Sequence, residues 1–197
     1  MKRLTLCLAI AAICILTASA QEGERKFKRF KGDVSLGYAA PLGSNADGGV
    51  LFALEPKFGI MDQLSIGLRI EGAAMARFSD YNNGTNDIDN AKVEASYLAT
   101  ADYYFTNNYS FRPFVGAGAG IFGIGNIDEN TTDDNFTTEE KFGGIIRVGG
   151  EVKHFRFGIE YNIIPNTTHT FNGITTTSKN NYIGFKLGVC FGGGPLQ

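Results

Sequence analysis

Acidic and basic residues stand two positions apart in several apolar stretches of this chain. Of the residue patterns in the sequence, this one is the best candidate for a functional group of charges, because it could bring acids and bases into contact. Arg69 and Glu71 show it, as do Glu55 and Lys57. Successive side chains of a β-strand point to opposite faces, so charges with this spacing would share one face. The charges that this rule places on the common face are Asp33, Glu55, Lys57, Arg69, Glu71, Arg77, Lys92, Glu94, Asp102, Arg147, Glu151, Arg156, Glu160 and Lys186.

This set contains seven acids and seven bases. An unpaired charge in a confined interior costs much free energy, so equal numbers predict a network of ion pairs. Such a network would fill the lumen of a narrow barrel, and removing one partner, as in Arg69→Ala, would destabilise the fold. The alternative is that some of the charges form a translocation path or a proton relay.

Candidate catalytic residues are few. The chain has two histidines, His154 in a short predicted turn and His169 in a long predicted loop, with Ser178 nine residues further on. A nucleophilic triad needs a histidine within hydrogen-bonding reach of a serine and of an orienting acid, and no spacing here provides one. We therefore predict that the protein is not an enzyme.

An acidic segment at residues 128–135 offers oxygen atoms that a hard cation prefers. Its spacing matches no calcium-binding loop, so we interpret it as a solvated loop. Gly116, Gly118 and Gly120 alternate within one apolar stretch and open no helix, which excludes a phosphate-binding glycine loop. No metal or cofactor is predicted.

The elements that would position the charges are eight strand-like stretches between Gly32 and Phe191. Short turns near residues 62, 107 and 153 alternate with long polar loops at 41–49, 79–91, 125–141 and 165–180. This alternation predicts an all-β fold, an eight-stranded antiparallel up-and-down transmembrane β-barrel with both termini on the short-turn side. We place the strands at residues 33–40, 50–60, 64–78, 92–105, 112–124, 142–152, 155–164 and 182–191.

The face opposite the apolar one distinguishes a membrane barrel from the alternative, a secreted soluble β-protein. A soluble sandwich would place solvated Lys, Thr, Ser and Glu there, whereas this chain mixes glycine with charges of both signs, as a narrow filled barrel requires. Aromatic residues, 12% of the chain, gather near the ends of the stretches, as interfacial girdles do. Pro56 cannot donate to a ladder and predicts a bulge or a missing bond in the second strand.

Residues 1–20 have the features of a signal peptide. A basic start and an apolar run over 4–16, too short to span a bilayer as a helix, precede the small residues Ala18-Ser19-Ala20. A lipoprotein acceptor at Cys14 is the alternative, but Ile13 stands where a small residue is expected. We predict a periplasmic leader at 21–31 and an outer-membrane barrel domain at 32–197.

The leader is basic, and we interpret it as a solvated segment, with contact to an anionic surface or a partner as the alternative. Without residues 1–20 the net charge would change from −2 to 16 − 20 = −4, which argues against nucleic acid as a partner. Cys190 would then be the one cysteine left, so no internal disulfide is expected. The basic residues of the leader are Arg25, Lys26, Lys28, Arg29 and Lys31.

Two segments carry a resemblance to a known group of proteins. Residues 114–121 alternate glycine with apolar residues, and residues 182–191 alternate apolar residues up to an aromatic, Phe191. In these features the chain resembles the small eight-stranded outer-membrane barrels, namely the OmpA barrel, OmpX and OmpW-like porin-family proteins. The resemblance implies the outer membrane of Gram-negative bacteria, contact with outer-membrane lipid and lipopolysaccharide, and Phe191 as a signal to the barrel assembly machinery. In this chain Gly192–Gln197 follow that aromatic residue.

Two functions remain open. The first is a non-enzymatic outer-membrane protein that displays four extracellular loops for an envelope-structural or adhesion role, with a charge-filled lumen and an extracellular ligand at the loops. The second is a narrow, porin-like channel for small or hydrophobic solutes.

Overall fold

The computed structural model describes residues 25–42, 48–78, 88–128, 138–171 and 174–196. The predicted signal peptide and the first part of the predicted leader lie outside these residues. No helix among the described residues is long and apolar enough to cross a membrane. The strands are β1 (Phe30–Pro41), β2 (Gly49–Met61), β3 (Leu64–Phe78), β4 (Ile88–Tyr104), β5 (Arg112–Asp128), β6 (Thr138–Val152), β7 (Phe155–Ile163), β8 (Thr167–Phe171), β9 (Ile174–Ser178) and β10 (Tyr182–Gly192).

Eight of the strands form a closed barrel in the order β1-β10-β7-β6-β5-β4-β3-β2. Every neighbouring pair is antiparallel, and β1 closes the barrel by pairing with β10 from Lys31↔Gly192 to Pro41↔Tyr182. Closure leaves no open sheet edge, so the backbone groups of the wall can pair with one another. The predicted eight-stranded up-and-down barrel is confirmed.

Several boundaries differ from the sequence prediction. β1 begins at Phe30, inside the predicted leader, and β4, β5 and β6 extend into the predicted loops. The predicted loop at 165–180 contains the hairpin β8–β9, paired from Thr167↔Ser178 to Phe171↔Ile174. The polar composition of this segment predicts a loop, but threonine is β-branched and favours extended backbone.

The wall of the barrel is apolar outside and polar inside. In β2 the buried residues Leu51, Glu55 and Lys57 alternate with the exposed residues Phe52 and Leu54. Large apolar side chains cover the outer surface around the barrel, and the exposed fraction reaches 72% for Phe142 and Leu187. A water-soluble protein rarely exposes so extended an apolar surface, so this outer wall favours lipid and disfavours the soluble alternative.

Pro56 interrupts the ladder between β2 and β3. Leu54 pairs with Ile70 and Lys57 pairs with Gly67 in one unchanged register, and no pair forms at the two positions between them. The proline therefore produces a missing bond, one of the two predicted effects, without a bulge.

Gly116 in β5 leaves room for an ion pair between neighbouring strands. It pairs with Asp102 in β4 and with Arg147 in β6. A Cβ atom at this position would overlap the Asp102 carboxylate and lie 2.9 Å from Arg147 Nε. The side-chain contacts inside the barrel therefore depend on glycine at this position.

We expect Gly116→Ala to lower the free energy of unfolding by about 1–3 kcal/mol, because overpacking displaces the ion pair. The measurement is urea unfolding of the barrel refolded in detergent micelles, followed by the gel shift between folded and heated protein. Gly72→Ala is the matched control, since a Cβ there meets no atom within 4 Å. Equal losses in the two variants would contradict this explanation.

Candidate functional site

Fourteen charged side chains are buried inside the barrel, and we call this set the ionic core. It contains twelve of the fourteen charges predicted to face inward; the side chains of the other two, Arg77 and Lys92, lie outside those the structure describes. Among the described side chains the set again comprises seven acids and seven bases. The members are Lys31, Asp33, Glu55, Lys57, Arg69, Glu71, Glu94, Asp102, Arg112, Arg147, Glu151, Arg156, Glu160 and Lys186.

Two members of the ionic core, Lys31 and Arg112, were missed by the sequence prediction. The sequence prediction assigns Lys31 to the leader, and it includes Arg112 in the fifth strand but not among the inward-facing charges. Lys31 lies two residues before Asp33, and Arg112 two residues before the buried Phe114. Extending the alternation one step before Asp33 would have found Lys31, and applying it from the first residue of the predicted fifth strand would have found Arg112.

Asp102 is the centre of the larger group of charges. It accepts hydrogen bonds from Arg147 Nε at 2.7 Å, Lys57 Nζ at 2.8 Å and Arg156 Nη2 at 2.9 Å. The other two nitrogens of Arg147 bind both oxygens of Glu55, at 2.8 and 2.6 Å. Such two-pronged arginine–carboxylate contacts are among the strong hydrogen bonds in proteins.

Glu151 extends this group toward the short-turn end of the barrel, where the turns β2–β3, β4–β5 and β6–β7 lie. Its Oε1 atom accepts from Lys31 Nζ at 2.6 Å, Arg156 Nη1 at 2.5 Å and the Tyr104 hydroxyl at 2.6 Å. Asp33 lies nearby, 2.5 Å from Lys57 Nζ. Every acid named in this larger group therefore contacts at least one base.

A smaller group lies nearer the long-loop end. Glu160 Oε2 is 2.6 Å from Arg69 Nη2 and 2.8 Å from Lys186 Nζ. Both bases also contact Glu71, which accepts a 2.6 Å hydrogen bond from the Tyr182 hydroxyl. Arg147 Nη1, 3.8 Å from Glu160 Oε1, links this group to the larger one.

An apolar layer fills the barrel toward the long-loop end, beyond every member of the ionic core except Glu94, which pairs across strands with Ala73 and Ile124 of this layer. This layer was not predicted, because the inward positions were sorted for charge alone. Within the ionic core a cavity of about 20 Å³, lined by residues that include Glu55, Arg147 and Glu160, has room for one water molecule. The apolar layer consists of Ala39, Leu51, Ala73, Met75, Leu98, Phe122, Ile124, Ile145, Ile164 and Tyr182.

The leader covers the short-turn end of the barrel. Phe27 is buried there and forms a β-bridge with Pro195, while Lys28 N donates to Gly194 O at 2.9 Å and Leu196 N to Lys26 O at 2.8 Å. The leader is therefore packed against the barrel through Phe27 and through its backbone, whereas the side chains of Lys26, Lys28 and Arg29 are exposed, as expected of a solvated segment. The leader and the tail after Phe191 pair with each other, because both chain ends meet where β1 joins β10.

The described residues do not assemble a catalytic triad. The His154 ring is 3.1 Å from the Tyr109 hydroxyl and 3.1 Å from the Cys190 carbonyl oxygen, and no serine or carboxylate contacts it. The side chain of His169 lies outside those the structure describes.

Ligand atoms of Asp33, Glu151 and Cys190 lie within 4.8 Å of one another, a spacing that suits a metal ion. The two carboxylates, however, already contact Lys57, Lys31 and Arg156. These cations take the place of a metal, so we assign no metal site to the cluster.

The sequence matches the outer membrane protein beta-barrel domain family over residues 6–192, so the chain belongs to that family. The protein is therefore a bacterial outer-membrane barrel, and the predicted location is confirmed. Phe191 lies on the outer wall of β10 with 60% of its surface exposed, and its role as an assembly signal stays a prediction.

Two solved structures share the fold. Neisserial surface protein A is 15% identical, with a TM-score of 0.58 over 84% of this chain and 98% of that one. The outer membrane protein OprG from Pseudomonas aeruginosa is 11% identical, with a TM-score of 0.53 over 85% of this chain and 98% of that one. Such low identities establish a common fold alone. No curated protein sequence matches this chain.

We expect Arg147→Met to destabilise the barrel by about 3–5 kcal/mol, because it leaves Glu55 and Asp102 buried without a main partner. Urea unfolding in detergent micelles measures the loss. Lys141→Met is the control, since it removes an ion pair with the partly exposed Glu139 and a hydrogen bond to the Asn166 carbonyl, contacts outside the ionic core that together should contribute about 1–2 kcal/mol. A loss for Arg147→Met no larger than that of the control would contradict a structural role of the ionic core.

Proposed function

We propose that this protein is a closed, non-enzymatic barrel whose role lies in the surface it displays outside the cell, in adhesion or in support of the envelope. The observation that carries the proposal is the filled interior. The ionic core and the apolar layer occupy the lumen in succession, and their side chains contact one another across it. The closed barrel would then hold its loops in fixed positions outside the cell.

The orientation follows from the usual rule for bacterial barrels, in which short turns face the periplasm and long loops face outward. Four connections would then be extracellular: β1–β2, β3–β4, β5–β6 and the segment between β7 and β10 that contains the hairpin β8–β9. These surfaces would meet lipopolysaccharide and an extracellular ligand, while the outer wall contacts lipid.

The base of the hairpin is fixed to the barrel, which supports a display role. Thr167 Oγ1 donates to Glu139 Oε2 at 2.9 Å and accepts from Asn180 Nδ2 at 3.0 Å. Asn180 Nδ2 also donates to the Pro165 carbonyl at 2.7 Å. A loop held at its base loses less conformational entropy when it binds a partner.

A channel needs a path through the lumen, and the described interior argues against one. A solute passing Asp102 would have to separate it from Lys57, Arg147 and Arg156, and each contact is shorter than 3 Å. Breaking buried ion pairs leaves charges without compensation, at a cost of several kcal/mol. The display role therefore ranks above the channel.

We expect the refolded protein to give no stable conductance steps in a planar lipid bilayer, because the buried ion pairs block the lumen. Current recordings at fixed voltage measure this, with heat-unfolded protein added to the same bilayer as the control. Frequent, long-lived steps from the folded sample would overturn the closed-barrel proposal and favour the channel.

We expect a cysteine at position 179, between β9 and β10, to react with a membrane-impermeant maleimide on intact cells. A cysteine at position 107, in the turn β4–β5, should react only after the outer membrane is permeabilised. The variants are Lys179→Cys and the matched Asn107→Cys, both at exposed positions, and the native Cys190 is 3% exposed and should stay unlabelled. The reverse pattern of labelling would refute the proposed orientation.

A further inference from the structure

Arg112 is the one base of the ionic core that forms no ion pair with a carboxylate of the described residues. Its guanidinium carbon lies 4.2 Å from the ring centre of Phe27 and 4.2 Å from that of Tyr104, so the two rings enclose it. Nη2 donates to the backbone carbonyl of Asp62. The side chain is nonetheless buried, with 7% of the residue exposed.

A buried cation without a counter-charge is costly, and cation–π contacts of this kind offset only part of that cost. Arg112 Nε has no hydrogen-bond partner, and neither has Ser65 Oγ, whose residue is 5% exposed. Both residues line one cavity at the short-turn end. Two buried polar atoms beside this cavity, Arg112 Nε and Ser65 Oγ, therefore lack hydrogen-bond partners.

The cavity is surrounded by positive charge. Besides Arg112, its walls include Arg25, Lys28, Arg29 and Lys31, and the acid among its lining residues is Asp62. The Asp62 carboxylate already accepts hydrogen bonds from the backbone N–H groups of Lys26 and Phe27, at 3.0 and 3.3 Å. The potential in the cavity therefore favours an anion.

We propose that this cavity is an anion-binding site for a phosphate group. The cavity measures about 20 Å³, which is room for one oxygen of the group against Arg112 and Ser65. The remaining oxygens would lie at the mouth of the cavity, which Lys28 and Arg29 line and where both are exposed. Arginine guanidinium suits phosphate because its donors match the spacing of phosphate oxygens. The group comes from inorganic phosphate or from a phospholipid head group beside the barrel.

Calorimetric titration of inorganic phosphate into the refolded full chain, in non-ionic detergent at low ionic strength, tests the site. We expect saturable binding at one site. Ser65→Ala, which keeps Arg112 between its two rings, should weaken binding about tenfold, the effect of one lost hydrogen bond to a charged group. Arg112→Gln should abolish binding. Lys179→Gln, at the long-loop end, is the charge-matched control and should bind as the original chain does.

The gel shift on heating shows whether each variant is folded, and Ser65→Ala keeps the test valid if Arg112→Gln does not fold.

Native mass spectrometry with phosphatidylglycerol separates the two sources of the phosphate group. The site would be assigned to a phospholipid if the chain retains this lipid but does not bind inorganic phosphate, and if Ser65→Ala loses the lipid. Saturable binding of neither probe, or binding that Ser65→Ala leaves unchanged, would overturn the proposal and assign the cavity to water. Either result leaves the closed-barrel proposal untouched, since that proposal depends on conductance.

Discussion

The contact of Asp102 with Lys57, Arg147 and Arg156 is the interaction on which the rest of this barrel depends. These residues come from β4, β2, β6 and β7, so the contact ties distant parts of the wall together across the lumen. A charge can be buried only if an opposite charge compensates for its lost hydration. Asp102 and the three bases thus offset the cost of burying one another's charges. Gly116 provides the space for this group, because a Cβ atom there would overlap the Asp102 carboxylate.

In the proposed display role the function lies at the surfaces, because side chains fill the described interior. The outer wall is apolar and meets lipid, and the backbone of the closed ladder pairs with itself. The two ends of the barrel remain, and they differ in chemistry. The long-loop end carries polar connections and a hairpin fixed by Thr167 and Asn180, whereas the short-turn end is basic and is covered by the leader.

The short-turn end shows how the two chain termini contribute to closure. The pairing of Phe27 with Pro195 places the aromatic ring beneath Arg112, and Tyr104 lies on the other side of the guanidinium. These contacts close the end of the ionic core and place Arg112, which forms no ion pair among the described residues, beside a small cavity. Closure of the lumen and an affinity for anions therefore arise from the same contacts.

The sequence by itself determined the strands and the faces of their side chains, because alternation is a local property of extended backbone. Glu55, Arg69 and Arg147 could be placed inside on that ground alone. Their partners could not, because Arg147 reaches Glu55 from a strand 92 positions away and the choice depends on the register of the whole barrel. The docking of Phe27 and the unpaired state of Arg112 also required the tertiary structure, since contacts between distant segments leave no periodic pattern in the chain. The hairpin β8–β9 is a local pairing, and the sequence prediction misses it because its threonine-rich strands are polar on both faces.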